Sequence, residues 1–162
     1  MNFTIDIQND AGYALDAARL IAAAQTVLRQ QQAAPESTLT VVVTDDEAVA
    51  ALNRQYRGVD SATDVLSFRA DAPPIAIEDE PPYLGDLLIA YPYASAQAAR
   101  LEHELGDSLA LLVIHGTLHL LGYDHDTPAR RAEMWQAQEA ALRELGISSA
   151  LVPALETKVD DH

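Results

Sequence analysis

Apolar residues recur along this chain at two spacings, and segments of each kind follow one another. Phe3, Ile5 and Ile7 alternate with polar neighbours, which predicts a strand with one buried face, and Gly12 ends that pattern. From Leu15 to Gln32 the residues Leu15, Ala18, Ile21 and Leu28 recur at helical spacing in an alanine-rich context, so a helix is expected there. Pro35 marks a loop before Leu39–Val43, a β-branched run short enough for a buried strand. Thr44–Glu47, TDDE, resembles a capping box opening a helix that runs to about Tyr56 and stops near Gly58. Thr63–Phe68 predicts a third strand after a turn at Asp60 and Ser61, and Leu84–Tyr91 a fourth. Between them Asp71–Pro82 holds four prolines and four acids and is expected to be an exposed, mobile loop.

Three more helices complete the pattern. Pro92 fits the first position of one that carries Ala98, Leu101 and Leu105 on one face. Gly106 and Asp107 then interrupt, with Asp107 as N-cap of a helix over Leu109–Leu121. Thr127 and Pro128 open the last helix, which is expected to reach Leu145 and stop at Gly146, with Met134, Leu142 and Leu145 in the core and Trp135 either in the core or on the surface. Four strands and about five helices make this an α/β (α+β) chain with one compact domain over residues 1–146. The polar, acidic segment 147–162 is expected to fray.

Composition narrows the chemistry. A chain of 162 residues suits one domain, which buries about 68–70% of its extended surface. It contains no cysteine, which removes thiolate metal sites, nucleophilic cysteine and thiol redox chemistry. The opening MNFTIDIQND has acidic residues and no basic segment before an apolar core, and no apolar run approaches about 18 residues. A soluble, unexported, cytoplasmic protein is the expectation. The net charge of −15 argues against broad attraction to nucleic acid or to an anionic membrane, and no DNA partner is expected. Nine of the ten basic residues are arginine, however, and Arg54, Arg57 and Arg69 lie within sixteen residues, so a local basic groove stays open.

The densest chemistry lies in His115–His125, HGTLHLLGYDH, which holds three of the five histidines. On a helix, His115 and His119 stand one turn apart on one face with Cβ atoms roughly 5–6 Å apart, a spacing at which two imidazoles can share a metal ion. Gly122 is placed to end that helix in the left-handed conformation and let the chain return His125 to the same point. Zinc leads as the ion because only nitrogen and oxygen donors are available, with nickel and iron not excluded by spacing. Three protein ligands leave a fourth position for water, whose pKa on zinc falls to about 7, so metal-assisted hydrolysis is the natural reaction. Buried ordinary histidines, or a closed structural ion, are the plainer alternatives. His103, twelve residues before His115, reads as an exposed helix residue and not a ligand.

The spacing equals that of the metzincin peptidases, which carry glutamate directly after the first histidine as general base. Here that position is Gly116, so a peptidase of that mechanism would lack its proton acceptor. The full stretch more specifically resembles the YbeY family of bacterial single-strand endoribonucleases and ribosomal RNA maturation factors, and residues 52–68, LNRQYRGVDSATDVLSF, and 84–86, LGD, agree in order and separation. The resemblance covers most of residues 1–146 and implies a mixed sheet flanked by helices. It also implies one zinc ion per chain on His115, His119 and His125, and hydrolysis of RNA phosphodiesters in the maturation of the 16S ribosomal RNA 3′ end. Its expected partners are single-stranded ribosomal RNA, the small ribosomal subunit and assembly factors.

Within the resemblance Arg57 takes the role of a functional arginine, which suits a guanidinium that can pair with two phosphate oxygens. Without it, a solvated Arg57 paired with Asp60 or Asp64 would be the plainer reading. His115 and Arg57 are thus the candidate catalytic residues. Asp64 and Asp86 could orient a ligating histidine or merely cap turns, and Asp124 could move a proton or cap a turn. Tyr123 could stack on a base or pack. A zinc peptidase or amide hydrolase, and a non-catalytic ribosome-assembly module stapled by zinc, are the competing readings.

Overall fold

The computed structural model describes residues 2–70 and 81–152. Their elements follow the predicted order: β1 (Thr4–Gln8), α1 (Ala17–Gln30), β2 (Thr38–Thr44), α2 (Asp46–Arg57), β3 (Val65–Arg69), β4 (Tyr83–Ala90), α3 (Tyr91–Arg100), α4 (Leu105–Leu120) and α5 (Pro128–Leu145), with a short 3-10 turn at Ser149–Leu151. The four strands form one mixed sheet in the order β1-β2-β4-β3. β1 and β4 run parallel to β2, and β3 lies antiparallel to β4 at the sheet edge. Most of the loop expected at Asp71–Pro82 lies outside the described residues, as does the chain beyond Val152.

Strand alternation sorts the two faces of the sheet. Ile5, Leu39, Val41, Val43, Val65, Leu87 and Ile89 enter the main core with α1, α4 and α5. Leu66 and Ala90 point the other way, onto Val49 of α2, and Leu52, Phe68 and Leu88 close that smaller cluster. Helix α4 is the centre of the main core. From Leu109 to Leu118 every residue is buried, so this helix is apolar on all sides and is covered all round.

Side-chain caps account for the shifts in helix ends. Asp16 caps α1 by accepting from the Ala18 N–H. For α2 the cap is Asp45, accepting from the Ala48 N–H at 2.7 Å, one residue after the expected Thr44. The break between α3 and α4 comes earlier than Gly106 and Asp107 suggest: Glu102 adopts φ 58° beyond the end of α3, and Glu104, not Asp107, is the N-cap of α4. Glu104 accepts from the Asp107 N–H, and Arg19 of α1 ion-pairs with both carboxylates. Leu105 therefore opens α4 instead of lining α3. Thr127, Pro128 and Gly146 bound α5 as expected, and the core continues past it, because Ile147 and Leu151 are buried.

Two glycines mark close approaches around α4. A Cβ on Gly116 would lie 2.7 Å from Leu87 Cδ2 and 3.3 Å from Ser67 Oγ, so a side chain there would force the buried Leu87 to move. Gly85 in β4 has φ 139°, and a Cβ would lie 2.1 Å from the Phe68 carbonyl oxygen and 2.9 Å from Leu120 Cδ2. Both the backbone conformation and the space exclude a substituent. Gly85→Ala is expected to lower the unfolding free energy by about 3 kcal/mol or more, measured by urea denaturation. The same substitution at Gly12, whose Cβ would meet nothing within 4 Å, leaves only the φ 71° strain and should cost less.

Candidate metal centre and active site

The three histidines meet as the spacing predicts. His115 and His119 lie one turn apart near the end of α4, and one nitrogen from each of His115, His119 and His125 lies within 4.8 Å of the other two. The turn that returns His125 is a paired helix stop: Gly122 N–H donates to the His119 carbonyl and Tyr123 N–H to the Leu118 carbonyl, each at 3.0 Å, with Gly122 at φ 101°. Asp124 then accepts from the His125 backbone N–H at 2.7 Å.

Hydrogen bonds on the far side of each ring determine which nitrogen faces the centre. His119 Nδ1 lies 2.9 Å from the Tyr123 carbonyl, which can only accept, so Nδ1 carries the proton and Nε2 is bare. His115 Nδ1 lies 2.6 Å from Oε1 of Gln138, a fully buried α5 residue, which leaves His115 Nε2 bare as well. The two Nε2 atoms then stand 3.1 Å apart. Two lone pairs at that distance repel unless a cation lies between them, and tetrahedral zinc at its usual bond lengths holds two nitrogens about 3.3 Å apart. These residues fit a divalent metal ion bound by three imidazoles.

The surroundings hold the rings in place and disfavour the charged form of His119. Trp135, three residues before Gln138 on α5, sets its ring edge-on to His115 at 6.0 Å and to His125 at 5.7 Å between centroids. Arg131 lies over the Trp135 ring at 4.5 Å. Burial is the main cause that depresses the His119 pKa from 6.5 to about 4, with the charge on His125 acting in the same direction. The Tyr123 carbonyl and Asp124 oppose the shift, and Arg57 adds to it.

Beside His119 an open pocket of about 170 Å3 is lined by Arg57, Ser67, Arg69, Gly122, Tyr123 and Asp124. Arg57 comes from the end of α2, which packs on the opposite face of the sheet, and so reaches this pocket past the edge strand β3. Gly58 at φ 71° ends α2 directly after it. One histidine of the cluster, His119, and two guanidiniums therefore share one pocket.

A family profile described as Endoribonuclease YbeY matches residues 5–146. The chain belongs to the YbeY family. A protein of Chloroflexus aurantiacus named Endoribonuclease YbeY is 40% identical over 151 residues, covering 91% of this chain and 98% of its own. One of a Roseiflexus species with the same name is 43% identical, covering 90% and 94%. The solution structure of a Thermotoga maritima protein shares the fold, with a TM-score of 0.54 over 98% of this chain and 97% of its own at 22% identity. The resemblance read from HGTLHLLGYDH is thus borne out over nearly the whole YbeY domain.

The acids expected near the metal lie apart from its rings, with one exception. Asp64 is buried at the start of β3, where one carboxylate oxygen accepts from the Val65 N–H at 2.9 Å, and it borders a different cavity beside Leu111 and Leu112, in the first half of α4. Asp86 pairs in register with Phe68, so it projects from the face of the sheet opposite α4, and there it accepts from the Tyr83 hydroxyl. Asp124 alone of the three borders the pocket beside His119. The ring-orienting groups are instead an amide and a backbone carbonyl. Gln138 is indistinguishable in sequence from any helical glutamine, and Arg69 was legible only as part of a local arginine group. Tyr123 packs, donating its hydroxyl to Gln31 Oε1 at 2.5 Å. His103 sits half-buried in the turn between α3 and α4, not on a helix, and outside the metal cluster.

Two outcomes follow from this geometry. Gln138→Leu removes the acceptor that fixes the His115 ring, and retention of a divalent transition metal should fall about 10–100-fold in competition with a chromophoric chelator. The His119 shift gives a pH effect in the metal-free protein: the folded pKa lies below the unfolded value, so the unfolded chain binds the extra proton first. The His119 contribution to stability is complete above pH 6.5 and is lost as pH falls toward about 4. Urea denaturation between these limits should show a steeper loss for wild type than for His119→Gln.

Proposed function

We propose that this chain is a zinc-dependent single-strand endoribonuclease acting in ribosomal RNA processing, including maturation of the 16S RNA 3′ end, and in ribosome biogenesis in the cytoplasm. The observation that carries the reading is the shared cavity: Arg57 and the metal ligand His119 line one pocket, which is what a phosphodiester needs, an electrophilic ion at one side and a guanidinium at the other. The names of the Chloroflexus and Roseiflexus relatives agree with it.

His115, His119 and His125 are the proposed zinc ligands. Zinc bound there supplies a Lewis acid and a source of hydroxide at neutral pH. Gln138 and the Tyr123 carbonyl hold the two helical imidazoles in the tautomer that presents Nε2. Arg57 offers two N–H groups to the non-bridging phosphate oxygens and stabilises the charge that develops on them. His115 acts through its hold on the ion. Asp124, with one oxygen held by the His125 N–H, is the carboxylate placed to move a proton in the pocket. A glutamate base after the first histidine has no room, because Gly116 already rests on Leu87 and Ser67.

The substrate is single-stranded RNA, with the small ribosomal subunit and its assembly factors as partners. With a net charge of −15 those partners supply affinity that the domain's overall field does not. Among the described residues no helix is long and apolar enough to cross a membrane.

The test compares wild type, His119→Ala and Arg57→Glu on single-stranded RNA, duplex RNA and peptides, with metal content measured alongside. Wild type should hold one zinc per chain and cleave only the single strand. His119→Ala should lose both zinc and cleavage, whereas Arg57→Glu should keep zinc and lose about 10²-fold or more in rate. Zinc-loaded wild type that cleaves no RNA, alone or with small ribosomal subunits, would overturn the reading.

A further inference from the structure

Strand alternation in β3 places Val65, Ser67 and Arg69 on the face that carries α4. Val65 is buried in the core, and Ser67 stands beside Gly116. Arg69, the last residue of the strand, is exposed and extends over Gly122, where its two terminal nitrogens lie 3.8 and 3.9 Å from the point a Gly122 Cβ would occupy. The guanidinium thus packs over the backbone just past the end of the helix that carries His115 and His119, three residues from His119. It borders the same pocket as Arg57.

Charge pairing and pocket lining together set these two residues apart. Arg19, Arg29, Arg54, Arg130 and Arg143 all form ion pairs with nearby carboxylates. Among the described residues Arg57, Arg69 and Arg100 form none, and of these only Arg57 and Arg69 border the pocket beside His119, although the chain carries 25 acids and Asp124 borders the same pocket. Two unpaired guanidiniums facing one cavity repel each other and gain from an anion that reaches both. A single-stranded nucleic acid presents a phosphate at every nucleotide, so a strand with one phosphate at Arg57 can bring its neighbour to a second cation.

We propose that Arg69 is a second phosphate contact, holding the phosphodiester next to the one at Arg57 and so favouring a strand with two successive phosphates over an isolated phosphodiester. The inference rests on the nuclease reading for the class of its ligand, phosphodiesters of single-stranded RNA. Arg69 acts in binding and register, whereas Arg57 acts on the phosphate at the metal.

Binding of a short, non-cleavable 2′-O-methyl oligonucleotide, measured by fluorescence anisotropy across a salt series, tests this on the zinc-loaded protein. Arg69→Gln should weaken binding about ten-fold and reduce the salt slope by about 0.7, the value for one phosphate contact on a single strand. Arg69→Lys should keep the slope and recover part of the affinity. Binding of a dinucleoside monophosphate, followed by calorimetry, should be unchanged in Arg69→Gln and weakened in Arg57→Gln. Unchanged oligonucleotide affinity and slope in Arg69→Gln would overturn the proposal, as would an equal loss for the dinucleoside. A loss of zinc or a lowered Tm in both Arg69 variants would also overturn it, by assigning Arg69 to the scaffold.

Cleavage by the wild type is scored separately. RNA cleavage together with Arg69-independent binding sinks only the second contact. Arg69-dependent binding without cleavage sinks only the nuclease reading.

Discussion

The structure depends on one helix being dry on all sides. Helix α4 is buried from Leu109 to Leu118 between the sheet, α1 and α5, and its backbone groups are satisfied within the helix. That burial fixes its position and rotation, and with them the two histidines of its last turns. It also carries a steric condition. The helix lies so close to β3 and β4 that a Cβ on the residue after His115 would displace the buried Leu87 side chain. Packing and chemistry thus meet at Gly116, where the close approach that seats the metal ligands also removes the position a metzincin uses for its base.

Burial then sets the electrostatics of the centre. Removing His119 from water disfavours its charged form, and the Tyr123 carbonyl holds the proton of the neutral ring on Nδ1. At His115 the same task falls to the Gln138 oxygen. An amide and a peptide carbonyl orient the rings without adding charge, so an ion held there would keep its full positive character. A carboxylate in either place would have offset part of that charge.

Acidic composition and a basic pocket coexist because most of the arginine charge is paired elsewhere. Among the described residues Arg19, Arg29, Arg54, Arg130 and Arg143 are tied to carboxylates, Arg19 between α1 and the start of α4 and Arg29 between α1 and α5, where they brace helices. Arg57 and Arg69 are left beside His119. Net charge describes the field far from the molecule, whereas a phosphate in contact with the pocket meets the nearest groups, and the far field is screened within about 8–10 Å.

How much of this was legible beforehand depends on the range of each interaction. The alternation of Phe3, Ile5 and Ile7, the helical spacing after Leu15 and the stops at Gly58, Gly122 and Gly146 are local consequences of backbone geometry, and they can be read in order along the chain. The convergence of His115, His119 and His125 was equally legible, because one helical turn and one glycine-ended stop span it. Helix starts slipped by a residue or more where several acids competed for the cap, as at Asp45 and Glu104. Side-chain partners distant in sequence could not be read at all. Nothing in Asp64, Asp86 or Gln138 tells which face of which element it occupies, and only the sheet order and the docking of α5 placed Gln138 on a metal ring and the two acids away from it. The sequence by itself determined the elements, the metal-binding turn and the family, since these rest on contacts within a few residues. Tertiary structure alone decided what orients the ligands and which arginines face them, because those contacts join α2, β3, α4 and α5 across the fold.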